Sequence, residues 1–152
     1  MVLLRPHGFT LMEMLLVMAI VALVLAVAPP LLSAAMPGLQ LKGAARELAA
    51  ALRQTRSRAL TLGGETALEL DLQGHRARIT GSAQTVPLPE ALDITLVTAD
   101  QELDDDQHGR IRFYPDGTST GGRITLRHGD SGYEVDVDWL TGRVRLSAAA
   151  PP

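Results

Sequence analysis

Residues 8 to 13 read Gly-Phe-Thr-Leu-Met-Glu and open an apolar stretch that runs to Leu32, broken by one carboxylate, Glu13. From Met14 to Ala28 every residue is apolar. As helix, Leu11 to Leu32 would span about 33 Å at 1.5 Å per residue, enough for a bilayer core. A charge at the centre of such a span costs roughly 2.5–3.5 kcal/mol. Glu13 therefore needs a counter-charge or a proton.

The leader, Met1 to Gly8, carries Arg5 as its firm positive charge. The positive-inside rule then sets the N-terminus in the cytoplasm and the remainder outside. A conventional secretory signal with Ala26-Val27-Ala28 as the cut would place Pro29 directly after it and leave Glu13 unexplained. A plain uncut anchor explains the length but not Gly8, Phe9 and Glu13. Pro29-Pro30 removes donors and crowds the preceding turn, so a kinked or locally broken stem is expected.

Gly8, Phe9 and Glu13 directly before a span resemble the class III signal of type IV pilins and type II secretion pseudopilins. The resemblance implies cleavage between Gly8 and Phe9 by a prepilin peptidase and N-methylation of Phe9. It also implies a role for Glu13 in setting subunit register during assembly. Cleavage would leave an α-amine on Phe9, about 6 Å along the helix axis from Glu13. In a packed filament, a neighbour's amine could meet the carboxylate. A snorkelling or protonated Glu13 near the interface is the plainer alternative.

Beyond the span the pattern changes twice. Leu41, Ala45, Leu48, Leu52, Ala59 and Leu62 recur at helical spacing over residues 39 to 62, with Arg46, Glu47, Arg53, Gln54, Arg56 and Arg58 on other faces. Gly63-Gly64 supplies the stop. From Glu65 the period becomes two: Thr66, Leu68, Leu70 and Leu72 face one way and the acids the other. Further strands are predicted over Arg76 to Thr80, Val86 to Leu88, Ile94 to Thr98, Arg110 to Tyr114, Arg123 to Arg127, Tyr133 to Trp139 and Arg143 to Leu146. Asp100 to His108 reads as an acidic surface loop, and 148–152 as a loose tail. A helix followed by antiparallel strands is α+β.

Composition sets limits. With 152 residues there is room for one domain and a stem. There is no cysteine, so neither disulfides nor thiolate chemistry is available. Residues 42 to 152 carry 13 basic and 16 acidic side chains, which gives no general drive toward nucleic acid. Asp104-Asp105-Asp106, with Asp100 and Glu102, has hard oxygen ligands but lacks the EF-hand spacing. The four histidines are scattered, and no nucleophile has a paired base. No catalytic residue, metal site, cofactor or small-molecule substrate is expected.

Phe113-Tyr114-Pro115-Asp116-Gly117-Thr118-Ser119-Thr120-Gly121-Gly122-Arg123-Ile124 reads as strand, turn, polar loop and strand. Its glycines could suggest a phosphate cradle, but no helix follows and the Gly-Lys-Ser/Thr element is absent. This string resembles the corresponding hairpin of the H-type minor pseudopilins, the general secretion pathway H family. Asp136-Val137-Asp138-Trp139-Leu140-Thr141-Gly142-Arg143-Val144 continues the likeness. Arg143 and Arg145 also resemble a Gly-Arg-x-Arg element with which minor pilins of DNA-uptake pili contact DNA; arginines of a solvated closing strand are the plainer reading.

The resemblance implies a pilin-like fold: a long N-terminal transmembrane helix packed on an antiparallel β-domain. It divides the chain into leader 1–8, transmembrane and assembly helix 9–32, periplasmic helix 33–62, β-domain 63–147 and tail 148–152. It implies a single-pass inner-membrane protein with its C-terminal domain in the periplasm, drawn into a pseudopilus that serves protein export. The implied partners are other minor pseudopilins, the major pseudopilin, the prepilin peptidase and the inner-membrane assembly platform, with force from a cytoplasmic ATP-driven motor. The alternative is a minor pilin of a type IV pilus that binds DNA for uptake.

Overall fold

The computed structural model describes residues 10–105 and 107–151, with side chains over all of these except 26–37. Helix α1 runs from Leu11 to Leu62, 52 residues. The helix continues through Pro29-Pro30; of the kinked or locally broken stem expected there, the break is absent. Two compact units divide between Met36 and Pro37.

In the second unit, α1 buries Leu41, Ala44, Ala45, Leu48, Ala49, Ala51, Leu52, Thr55 and Ala59. Leucines and alanines at this spacing make a wide stripe that the strands can approach closely. Each fully buried leucine contributes about 1.5–3 kcal/mol. Leu62, expected on this stripe, is 69% exposed, because the helix ends there and has left the sheet. Thr55 occupies the stripe instead; its hydroxyl donates to Ala51 O at 2.8 Å, which makes a buried polar group tolerable. Gly63, at φ 65°, closes the helix in the left-handed conformation and donates to Ala59 O at 3.0 Å.

Among the described residues eight strands follow: β1 Thr66–Asp71, β2 Arg76–Ile79, β3 Thr85–Pro87, β4 Asp93–Val97, β5 His108–Phe113, β6 Gly122–His128, β7 Ser131–Val137 and β8 Val144–Ala148. They form two four-stranded antiparallel sheets, ordered β3-β2-β1-β5 and β4-β6-β7-β8. On β1, Leu68 lies opposite Ile79 on one side and Ile111 on the other. On β6, Ile124 lies opposite Val135 and Leu96. One apolar cluster joins the helix stripe to the inner faces of both sheets. Alternation on β1 is as expected, with Leu68 and Leu70 inside and Glu69 and Asp71 on the outer face.

Two segments are more ordered than the sequence suggests. The tail does not start at Ala148, which ends β8: Ala149 N–H donates to Gly132 O at 2.9 Å and Arg127 donates to Ala150 O at 2.7 Å. The acidic loop contains a 3₁₀ turn, Asp100–Glu102, and ends earlier, because β5 already begins at His108.

Candidate functional site

Helix α1 begins at a cap. Glu13 N–H donates to Thr10 Oγ1 at 3.2 Å, and Met14 N–H closes the first helical bond to Thr10 O at 3.2 Å. Thr10 is thus the N-cap and Glu13 lies in the first turn, where a carboxylate also meets the positive end of the helix dipole. The Thr-x-x-Glu spacing signals this in the sequence, and reading Glu13 through the membrane alone misses it. Gly8 and Phe9 lie outside the described residues.

Every residue from Thr10 to Leu25 is exposed, apolar side chains pointing out on all sides of the helix. A helix that is apolar all round needs an apolar surrounding. Among the described residues no helix is long and apolar enough to cross a membrane.

In the second unit, the strings 113–124 and 136–144 meet on Arg56. Arg56 Nε donates to Gly117 O at 3.2 Å and Nη2 to Thr141 O at 3.0 Å. Each string folds as an Asp-headed turn. Asp116 accepts from the Thr118 hydroxyl at 2.7 Å and its N–H at 2.9 Å, and Asp138 accepts from the Thr141 hydroxyl at 2.7 Å and its N–H at 2.8 Å. Those hydroxyls, then the N–H groups, hold both carboxyls below the usual carboxylate range. Ser119 N–H donates to Trp139 O at 2.8 Å and ties the strings together. Gly142, at φ 59°, lets the second turn lie flat, since a Cβ there would run into the Gly117 carbonyl and Arg56. The polar loop is therefore a structural junction. Trp139, predicted at the end of a strand, lies beyond β7 and is 65% exposed, with Leu140 beside it at 60%.

The acidic loop is anchored. Glu102 is buried and accepts from Arg110 Nε at 2.8 Å and Arg112 Nε at 2.9 Å. Arg112 also reaches Glu65 at 2.7 Å, and Arg110 reaches Asp104 at 3.0 Å. Glu102, then Glu65, raise the Arg112 pKa still further. Asp105 caps the loop's return, accepting from the Gln107 and His108 N–H groups at 2.7 Å. A single acid taken as part of a solvated run is thus the loop's fastening to the outer face of the first sheet.

Arg143 and Arg145 are both exposed. Arg145 stands opposite Asp136 on β7, whose carboxylate accepts from Arg123 at 2.7 Å, so it sits in a mixed-charge ladder. Arg143 lies in the turn before β8 and lines a cleft with Arg53 and Arg56.

Comparison with known proteins agrees with this architecture. Residues 44–142 match the family described as type II transport protein GspH, and residues 4–29 match the prokaryotic N-terminal methylation motif. The chain is 38% identical over 146 residues to type II secretion system protein H of Xanthomonas campestris pv. campestris, covering 96% of this chain and 86% of that protein. Its fold is similar to the Pseudomonas aeruginosa type IV minor pilin FimU, with TM-score 0.58 at 17% identity over 76% of this chain and 96% of that one. It is also similar to the minor pseudopilin EpsH from the type 2 secretion system of Vibrio cholerae, with TM-score 0.57 at 14% identity over 72% and 97%. Capped apolar helix, two-sheet unit and both sequence matches coincide: the chain belongs to the GspH family of type II transport proteins.

Proposed function

We infer that this chain is a structural subunit, the H-type minor pseudopilin of a type II secretion pseudopilus, and that its work is assembly. The observation that carries the reading is a capped helix, exposed and apolar on every side through Leu25, in a chain whose second unit buries its own core. The helix supplies a surface that only lipid or other apolar stems can cover, and the β-unit supplies a polar surface for neighbours. In this reading Leu11 to Leu32 holds the precursor in the inner membrane with the β-unit in the periplasm. A prepilin peptidase cuts between Gly8 and Phe9, and Phe9 is methylated. Thr10 starts the mature helix, and Glu13 pairs with a neighbour's new amine to set register. The β-unit joins other minor pseudopilins to the major subunits, and the chain contributes surfaces rather than chemistry.

The test is the culture-supernatant proteome of a strain lacking the gene. Folded exoproteins accumulate in the periplasm, wild-type complementation restores export, and Glu13→Ala complementation does not. Unchanged export on deletion refutes the role in secretion. The mature chain's intact mass starts at a methylated Phe9.

A further inference from the structure

Three arginines converge where α1 meets the turn between β7 and β8. Arg53, Arg56 and Arg143 line, with Thr141, Gly142 and Val144, a cleft of about 480 Å³. Arg56 is held by the Gly117 and Thr141 carbonyls, and Arg53 Nη2 donates to Val144 O at 3.5 Å. Two of the five Arg56 donors are thereby used to fix the guanidinium, and the others remain for a ligand. Among the described residues, none of the three has a carboxylate within 4.0 Å. Arg76 and Arg78 each have one, and Arg110, Arg112 and Arg123 each have two. Like charges gathered in one cleft repel, and an anion between them relieves that repulsion. A fixed guanidinium such as that of Arg56, with two more beside it, suits carboxylate binding.

The charge distribution says which anion. Residues 38–62 carry five cations and one acid, net +4, whereas residues 63–152 carry eight cations and fifteen acids, net −7. A long polyanion reaching beyond the cleft would be opposed by the net negative charge of residues 63–152. A short acidic protein segment would not. Apolar groups accompany the arginines: Val144 lines the cleft, exposed Leu140 precedes Thr141 in the chain, and Leu60, 45% exposed, is near Gly117, whose carbonyl holds Arg56. Arginine beside exposed apolar side chains is the composition of protein-binding hot spots.

We propose that the Arg53–Arg56–Arg143 cleft is a carboxylate-binding site that receives an acidic segment of a neighbouring pilin-type subunit. The identity of the occupant rests on the assembly role above; the carboxylate site does not. The probe is a fluorescein-labelled hexaglutamate peptide, titrated at low salt into the full chain in non-ionic detergent and read by anisotropy. Arg53→Ala with Arg143→Ala weakens binding at least tenfold, while Arg145→Ala leaves it within twofold. Equal binding by all variants overturns the site, and so does a single-stranded oligonucleotide that binds more tightly than the peptide and loses binding with Arg143→Ala. For the occupant, Arg143→Lys puts an amine in the cleft, and a carbodiimide couples it to a touching carboxylate. Coupling to an Asp or Glu of a co-expressed pseudopilin supports the proposal; coupling within the chain alone overturns the occupant. Loss of peptide binding in the variants with export unchanged on gene deletion keeps the site and removes the secretion role.

Discussion

Replacing Glu102 by alanine tests whether the acidic loop is fastened or merely solvated. The carboxylate is 7% exposed and bridges Arg110 and Arg112, which are each 30% exposed. Removing one partner of a buried pair costs about 3–5 kcal/mol. Two facts reduce that here: Arg110 keeps Asp104 at 3.0 Å and Arg112 keeps Glu65 at 2.7 Å, and the partly wet guanidiniums are screened. The expected loss is then about 2 kcal/mol, a fall of roughly 8 °C in melting temperature for a domain of this size. Circular dichroism of the full chain in mild detergent measures it. Asp100→Ala, an exposed acid of the same turn, should stay within about 0.5 kcal/mol. Hydrogen exchange gives the local readout, since the amides of Leu103 and Asp104, bonded to Asp100 O at 3.3 Å and His108 O at 3.0 Å, should lose protection first. If Glu102→Ala melts with wild type and those amides stay protected, Glu102 is not the fastening.

Gly142→Ala should cost about 2 kcal/mol or more by urea unfolding, because a φ of 59° disfavours an L side chain and the new methyl runs into the Gly117 carbonyl. Gly63→Ala, at φ 65° with open space around it, should lose only the conformational part, about 1 kcal/mol; equal costs would remove the Gly117 contact from the account. Acid should destabilise the β-unit. Gly74 N–H on Asp71, Gln107 N–H on Asp105 and the Thr141 hydroxyl on Asp138 hold these carboxyls below their ordinary values, so their stabilisation is present above about pH 4 and fades as pH falls through the lowered values. A melting temperature that rises from pH 5 to pH 2 would contradict this.

Periodic elements were legible in the sequence because a single physical rule places them. The α1 stripe at Leu41, Ala45, Leu48 and Leu52 and the alternation of Leu68 and Leu70 on β1 each follow from one face meeting one core. The split into two sheets was not legible, since strand period says which face is buried but not which strand is the neighbour. Glu102 was hidden for a related reason: beside Asp100 and Asp104 it looks like one more solvated acid, and only the register of β5, which sets Arg110 and Arg112 two apart on the outer face, distinguishes it. Leu62 was misread because periodicity does not know where the sheet ends. The Thr10 cap was readable from Thr-x-x-Glu and was masked by the membrane reading of the same glutamate.

The cations of α1 have no local explanation beyond Arg56. Exposed helices gain a few tenths of a kcal/mol from each acid-to-base pair at spacing three or four. Glu47, the only acid of residues 38–62, has Gly43, Ala44, Ala50 and Ala51 at those positions and pairs with none of its cations. Arg53 and Arg56, three apart, repel instead. Arg56 is explained by the carbonyls it ties together. Arg53 is not: its one bond, 3.5 Å to Val144 O, is long, and its charge adds to two others at the same cleft. On the first sheet every arginine of β2 and β5 has its acid, whereas on the second Arg123 has one and Arg127 donates to a carbonyl instead. Three arginines gathered unpaired in one cleft cost stability in the isolated subunit and regain it when something acidic arrives. A subunit whose task is to be built into an assembly meets that condition at assembly, which is why the helix surface, rather than the core it helps to form, is where the specificity of docking is expected to reside.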